Sequence, residues 1–181
     1  MTNLKSTKTL ENLKTAFAGE AQACIKYLFY AAKAKDEGYV QLSRIFLETS
    51  HNEKQHAKIW FKILSGGEIP NTWDNLTDSI DCERTEWCKL YKSFSKEAED
   101  EGLYEISYLF KYVAEIERMH CERFRTLFNN LETDSIFRKD EKVEWNCINC
   151  GHSFKSYNAP ILCPVCKHPR AYFEQKSYDY L

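Results

Sequence analysis

Apolar residues recur every three or four positions through the first ~130 residues, the period of helices with one buried face. Four such stripes follow one another. The first is Leu10, Leu13, Phe17, Glu20, Cys24, Tyr27, Ala31, and the second is Leu42, Phe46, Thr49, Glu53, His56, Trp60, Ile63. A weaker third runs Leu76, Ile80, Glu83, Trp87, Leu90, Phe94, and the fourth runs Leu103, Ile106, Phe110, Val113, Glu117, His120, Phe124, Leu127, Leu131. Each stripe places a carboxylate or an imidazole where a core position asks for an apolar side chain. A charge there is costly unless it is paired or bound to a metal. This conflict between pattern and chemistry is the strongest local sign of function.

The breaks between stripes fit a helical bundle. Gly38 and Gly102 each follow an Asp-Glu pair and suit tight helix–helix turns. Gly66-Gly67 and Pro70 end the second helix, and a polar crossover over residues 65–77 is expected, with Asn75 and Thr77 as candidate N-caps. The two halves repeat. A shift of 64 positions carries Asp36-Glu37-Gly38 onto Asp100-Glu101-Gly102, Tyr27 onto Tyr91, Phe46 onto Phe110, Glu53 onto Glu117 and His56 onto His120, whereas Glu20 meets Glu83 only with a one-residue slip. Residues 129–142 are polar and read as a linker. Short β-prone stretches, Val143–Trp145 and Ala171–Glu174, then flank two cysteine pairs. The expected organisation is a helical domain with linker over 1–142 and a small domain over 143–181.

The polar groups on the stripes form a set. Glu53-x-x-His56 and Glu117-x-x-His120 each offer two ligands from one helix face, and Glu20 and Glu83 add a lone carboxylate apiece. Six such groups carrying four negative charges suit two divalent ions of the iron or manganese kind inside a four-helix bundle. Glu86, three residues after Glu83, is a seventh candidate, balanced against a solvated surface glutamate. Tyr27 and Tyr91 lie about two turns from Glu20 and Glu83, where their hydroxyls could brace a ligand carboxylate; ordinary core packing explains them nearly as well. Glu115 and His51 fall off the ligand face and read as surface.

The chain has eight cysteines. Cys147-x-x-Cys150 and Cys163-x-x-Cys166 are two hooks of the kind that close a tetrahedral sulfur site for iron or zinc, with Gly151 supplying a left-handed backbone after the first hook. Cys-Gly and Cys-Pro at these positions lean toward iron. His152 and His168 read as turn residues, and Cys24, Cys82, Cys88 and Cys121 as small apolar residues. Clustered cysteines without a secretory signal point to a reducing cytoplasm. Net charge is −2 and the pI is about 6.2, which gives no basic footprint for nucleic acid. No apolar run is long enough for a membrane span.

These motifs together resemble the rubrerythrin family over nearly the whole chain: Phe17-Ala-Gly-Glu20-Ala-Gln-Ala23, Glu53-x-x-His56, Glu83-x-x-Glu86, Glu117-x-x-His120, Cys147-x-x-Cys150-Gly151 and Ala159-Pro160-x-x-Cys163-Pro164-x-Cys166. The resemblance implies a mainly α fold, with a ferritin-like four-helix bundle followed by a small β-rich rubredoxin-like domain that binds metal through four cysteines. It implies a non-haem di-iron peroxidase that reduces hydrogen peroxide to water in oxidative-stress defence. Glu20, Glu53, His56, Glu83, Glu86, Glu117 and His120 would serve the di-iron site, with Glu86 and His56 exchanging on one iron. The four cysteines would hold a mononuclear iron. A redox protein, either rubredoxin or an NAD(P)H-dependent reductase, would supply electrons, and the chain would form a homodimer, helix-swapped in some members. Lys167 departs from the glycine usual in isolated rubredoxins, and the connection before the third helix looks shorter than in some relatives. A ferroxidase or iron-storage protein is the rival reading; a zinc-ribbon interaction module on a structural bundle is a third.

Overall fold

The computed structural model describes residues 4–177. The chain divides into two compact units, the first ending at Asn71 and the second beginning at Thr72. The first unit is a helical hairpin of α1 (Lys8–Asp36) and α2 (Val40–Leu64). The second holds α3 (Thr72–Thr85), a π-helical turn (Glu86–Leu90) and α4 (Tyr91–Asp100) in succession, then α5 (Tyr104–Glu132) and a three-stranded sheet.

Both hairpins turn the same way for the same reason. At the end of α1, Gly38 takes φ +86° and donates to Lys35 O while Tyr39 N–H reaches Ala34 O. At the end of α4, Gly102 takes φ +77°, donating to Glu99 O, and Leu103 N–H reaches Ala98 O. This pair of bonds is the Schellman closure, which satisfies the last carbonyls of a helix and favours glycine at its left-handed position. The first turn of α1 is capped by Thr7, whose hydroxyl oxygen accepts from Leu10 N–H.

Within each hairpin the seam is made of small residues. Ala31, Ala34, Ser43, Ser50 and Ala57 are buried in the first; Ser95, Ala98, Ser107 and Cys121 are buried in the second. Ala34 and Ala98, Ser43 and Ser107, and Ala57 and Cys121 are repeat partners. Small side chains let the two backbones approach closely, and the hydroxyls of Ser50, Ser95 and Ser107 are satisfied across the seam. Ser50 Oγ donates to Cys24 O at 2.8 Å, and Ser95 and Ser107 pair at 3.0 Å. The larger stripe residues flank the seam rather than fill it; Leu42, Ile63, Phe94 and Ile106 are exposed.

Three boundaries differ from the expected ones. Helix α3 begins at Thr72, so the crossover is shorter than 65–77. Asn75 and Thr77 are then helix-interior residues rather than caps, and Thr77 Oγ1 donates back to Trp73 O. The stretch 129–142 is not a linker throughout: α5 reaches Glu132 and the first strand starts at Arg138.

The sheet runs β2–β1–β3, all antiparallel, from β1 (Arg138–Cys147), β2 (Ser153–Asn158) and β3 (Phe173–Gln175). Its core is Trp145, Cys147, Ala159, Cys163 and Phe173, with Phe137, Val143, Phe154 and Cys166 packed against it. Trp145 is fully buried, and its indole N–H donates to Ser156 O at 3.1 Å.

Candidate metal centres

The sulfur site is built from two matching hooks. Cys147 N–H donates to His152 O, and Gly151 N–H closes back on Cys147 O. In the second hook Cys163 N–H donates to His168 O, and Lys167 N–H closes on Cys163 O. Gly151 and Lys167 both lie in the left-handed region, at φ +77° and +62°. Lysine therefore occupies a position that favours glycine, and its ammonium bonds Pro164 O at 3.1 Å.

The four Sγ atoms lie within 4.8 Å of one another, with Cys147–Cys166 and Cys150–Cys163 each at 3.7 Å. A tetrahedron with metal–sulfur bonds of about 2.3 Å has edges of roughly 3.8 Å. The cage therefore fits one tetrahedral ion, and its edges are far too long for disulfides. Backbone N–H groups tune the sulfurs: His168 N–H lowers the Cys166 thiol to about 5. His152 N–H acts the same way on Cys150, but burial and the three neighbouring thiols push that group up to about 12. His152 stacks on Phe154 and His168 packs edge-on against Tyr172, so both histidines serve the turns as expected.

The carboxylate–imidazole groups form two triads, one in each unit. In the first, His56 Nδ1 lies 2.9 Å from Glu53 Oε2 and 3.9 Å from Glu20 Oε2. In the second, His120 Nδ1 lies 2.7 Å from Glu117 Oε2 and 3.8 Å from Glu83 Oε2. Each triad converges within 4.8 Å. Metal bonds of about 2.1 Å at right angles would hold ligand atoms roughly 3 Å apart, so each Glu-x-x-His pair already spans one edge of such a shell. Glu53 and Glu117 are largely shielded, at 17% and 16% exposure.

Without a cation, hydrogen bonds from His56 and Glu20 hold Glu53 below its ordinary value, against its desolvation. Glu83 is pushed up, first by burial and then by Glu117 and Glu86. Crowded carboxylates that raise one another's pKa need a cation in order to remain ionised together. Iron or manganese suits this donor set.

Glu86 is half-buried at the first position of the π-turn, and the Cys82 thiol donates to its Oε1 at 3.7 Å. Cys82 is exposed, unlike the small core residue expected; Cys121 is buried and Cys24 and Cys88 half-buried, as expected. Tyr27 packs with Tyr30 and Phe46, and Tyr91 with Phe94 and Phe110. Burial and the charges of Glu86, Glu117 and Glu83 raise the Tyr91 phenol. His51 and Glu115 are exposed, and Glu115 pairs with Arg118. The Cys82–Glu86 contact and the π-turn were not foreseen. Their trace in the sequence is the one-residue slip between Glu20 and Glu83.

The fold and its donor groups define a class: a ferritin-like helical protein with a carboxylate di-iron site and an appended four-cysteine site. The family models for rubrerythrin and for the rubrerythrin rubredoxin-like domain match residues 11–72 and 145–174. Rubrerythrin-1 of Clostridium acetobutylicum is 46% identical over 99% of this chain and 100% of its own length. Rubrerythrin of Clostridium perfringens is 43% identical over 96% and 97%. That of Porphyromonas gingivalis is 41% identical over 98% and 94%. The chain belongs to the rubrerythrin family and is an oxidoreductase of that kind. Among the described residues no helix is long and apolar enough to cross a membrane.

Proposed function

We propose that the chain is a cytoplasmic non-haem di-iron peroxidase that reduces hydrogen peroxide to water as a defence against oxidative stress. The observation that carries this reading is the joining of two equal Glu–Glu–His triads to a tetrahedral sulfur cage in one chain. Glu20, Glu53 and His56 serve one iron position and Glu83, Glu117 and His120 the other, with Glu86 as an additional ligand. Residues 1–142 carry this centre, and residues 143–181, with β1 reaching back to Arg138, carry the sulfur-bound iron. A structural zinc would leave the triads without an electron route.

The reaction takes up two electrons and two protons, breaks the O–O bond and releases two waters. Bound ferrous iron supplies the two electrons together and the Lewis acidity that polarises peroxide. The glutamates hold the cations in place and offset their charge as it grows. Glu86 and Tyr27 are the proton donors at hand, and Tyr27 and Tyr91 brace the ligand carboxylates. Cys147, Cys150, Cys163 and Cys166 would hold an iron, which would supply a one-electron couple between the triads and a redox protein, either rubredoxin or an NAD(P)H-dependent reductase. The functional form is a homodimer, with or without exchanged helices; sedimentation of the metal-loaded protein tests this.

Stopped-flow mixing of the fully reduced protein with peroxide tests the activity. Oxidation much faster than with dioxygen is expected. Oxidation no faster than with dioxygen would remove the peroxidase reading and favour ferroxidase activity, which uses the same triads but gives the sulfur site no task.

A further inference from the structure

The two hairpins share a fold but not an outer face. Helix α1 carries a second stripe beside the one that closes its hairpin. Lys14, Ala18, Ala21, Ile25, Leu28 and Ala32 follow one another in steps of four and three, the spacing of a coiled-coil seam. Each lies one residue after a member of the first stripe, so this seam runs about 100° round the helix from it. Ile25, Leu28 and Phe29 are exposed, Phe29 at 67%, and so is Leu47 of α2. One apolar stripe suffices to close a hairpin; a second, left on the surface, asks for a further partner.

The second hairpin shows the same face dressed for water. Downstream of the ligand glutamates the two hairpins are in register. The ring centroids of Tyr27, Tyr30 and Phe46 are separated by 6.1, 6.1 and 5.6 Å; those of Tyr91, Phe94 and Phe110 by 6.1, 6.0 and 5.6 Å. Sixty-four positions on, Ile25 becomes Lys89, Leu28 becomes Lys92, Phe29 becomes Ser93, Ala32 becomes Lys96 and Leu47 becomes Lys111. Lys92, Lys96 and Lys111 line one groove on the second hairpin, where Lys96 pairs with Asp100 and Lys111 with Glu99. The same backbone carries either set, so folding of the hairpin does not require the apolar one.

We propose that the outer face of the first hairpin binds the same face of a second copy of this chain, α1 against α1, antiparallel about a twofold axis beside Ile25. This pairing sets Ala18 against Ala32 of the other copy, Ala21 against Phe29 and Lys14 against Asp36, each twice. The small residues let the helices approach closely, and the seam ends in opposite charges at both ends. A parallel pairing would set Lys14 on Lys14 and Asp36 on Asp36. The second hairpin cannot pair with itself in this way, because Lys89, Lys92, Lys96 and Lys111 would meet their own copies. From Lys14 to Asp36 the seam runs about 33 Å; across two helices of roughly 10 Å each it offers on the order of 650 Å² per copy. A standard interface buries about 800 Å² per partner. This surface rests on the homodimer proposed above, and the two ideas fail separately.

The experiment is sedimentation of the full-length, metal-loaded protein over a concentration series. The parent should be a dimer. I25K/L28K/F29S/A32K gives α1 the residues that the second hairpin already carries. Helical circular dichroism should therefore persist while the dimer dissociation constant rises at least about hundredfold. Lys14→Asp alone should weaken the dimer by about tenfold, and K14D/D36K should restore it. A monomeric parent would remove the homodimer and this surface with it. A dimeric parent whose fourfold variant stays helical and dimerises equally well would overturn the surface and leave the homodimer standing. Should the fourfold variant unfold, the charge pair decides: failure of Asp36→Lys to rescue Lys14→Asp overturns the antiparallel pairing.

Discussion

The sulfur site and the two carboxylate triads stand in opposite relation to their surroundings. Cys147 and Cys163 are fully buried and belong to the small hydrophobic core with Trp145 and Phe173. The triad residues belong to no seam. The hairpins close on Ala31, Ser43, Ser50, Ser95, Ser107 and their neighbours, and the ligands lie beside that contact, with His56 half exposed. In the first case the metal completes the core; in the second a frame already closed by small residues presents the ligands. A module of some forty residues has too little apolar area to fold without a staple, whereas long hairpins bring seam, turns and helical hydrogen bonds of their own.

The largest expected effect follows from that difference. Removing the sulfur-bound ion with a chelator, or substituting Cys163→Ser, should unfold residues 138–177, a loss on the order of 10 kcal/mol. Amide resonances of the sheet should collapse while helical circular dichroism persists. Retention of a dispersed sheet without metal would place the hydrophobic cluster, not the ion, as its organiser. In the hairpins the converse holds. Glu117→Gln should weaken ferrous binding at its triad by about tenfold or more, yet leave metal-free thermal stability unchanged or higher, because it relieves Glu83 of a like charge. Ser107→Leu, at the seam, should cost about 1–3 kcal/mol through overpacking. A destabilised Glu117→Gln beside an unaffected Ser107→Leu would invert the comparison.

The same difference explains what could be read from the sequence. Ligands announce themselves by spacing, so the triads and the cysteine hooks were legible before any fold was known. The seam was not, because a hydrophobic period weights large side chains, and Ser43, Ser50, Ser95 and Ser107 score as polar. The start of α3 was misplaced because Asn75 and Thr77 are good caps by composition, but Asp74 already occupies the first turn of a helix that begins soon after Pro70. Strand β2 was missed: Ser153-Phe-Lys-Ser-Tyr-Asn158 has too few apolar residues to mark a strand, and it is held by pairing with β1. The π-turn left a trace only as a broken repeat, since propensity carries no signal for a single added residue.

A smaller effect sharpens the view of the sulfur hooks as paired backbone devices. Lys167→Gly should stabilise the metal-loaded module by about 1 kcal/mol, because glycine takes φ +62° without steric cost, and Gly151→Ala should destabilise it by a similar amount. Thermal unfolding of both variants with the ion retained checks this. A destabilised Lys167→Gly would show that the ammonium bond to Pro164 O outweighs the backbone term.

The smallest effect is a titration of the metal-free hairpins. Glu53 lies below its ordinary pKa, so its interactions stabilise the first unit above the unfolded value and are lost as pH falls through the lower folded one. Glu83 lies above its ordinary value, so its ionised form works against folding at neutral pH, and protonation relieves that as pH falls through the raised value. On acidification Glu83 should therefore take its proton before Glu53. Carbon-13 shifts of the two labelled carboxyls would read the order directly. The reverse order would mean that crowding by Glu117 and Glu86 is not what distinguishes the second triad from the first.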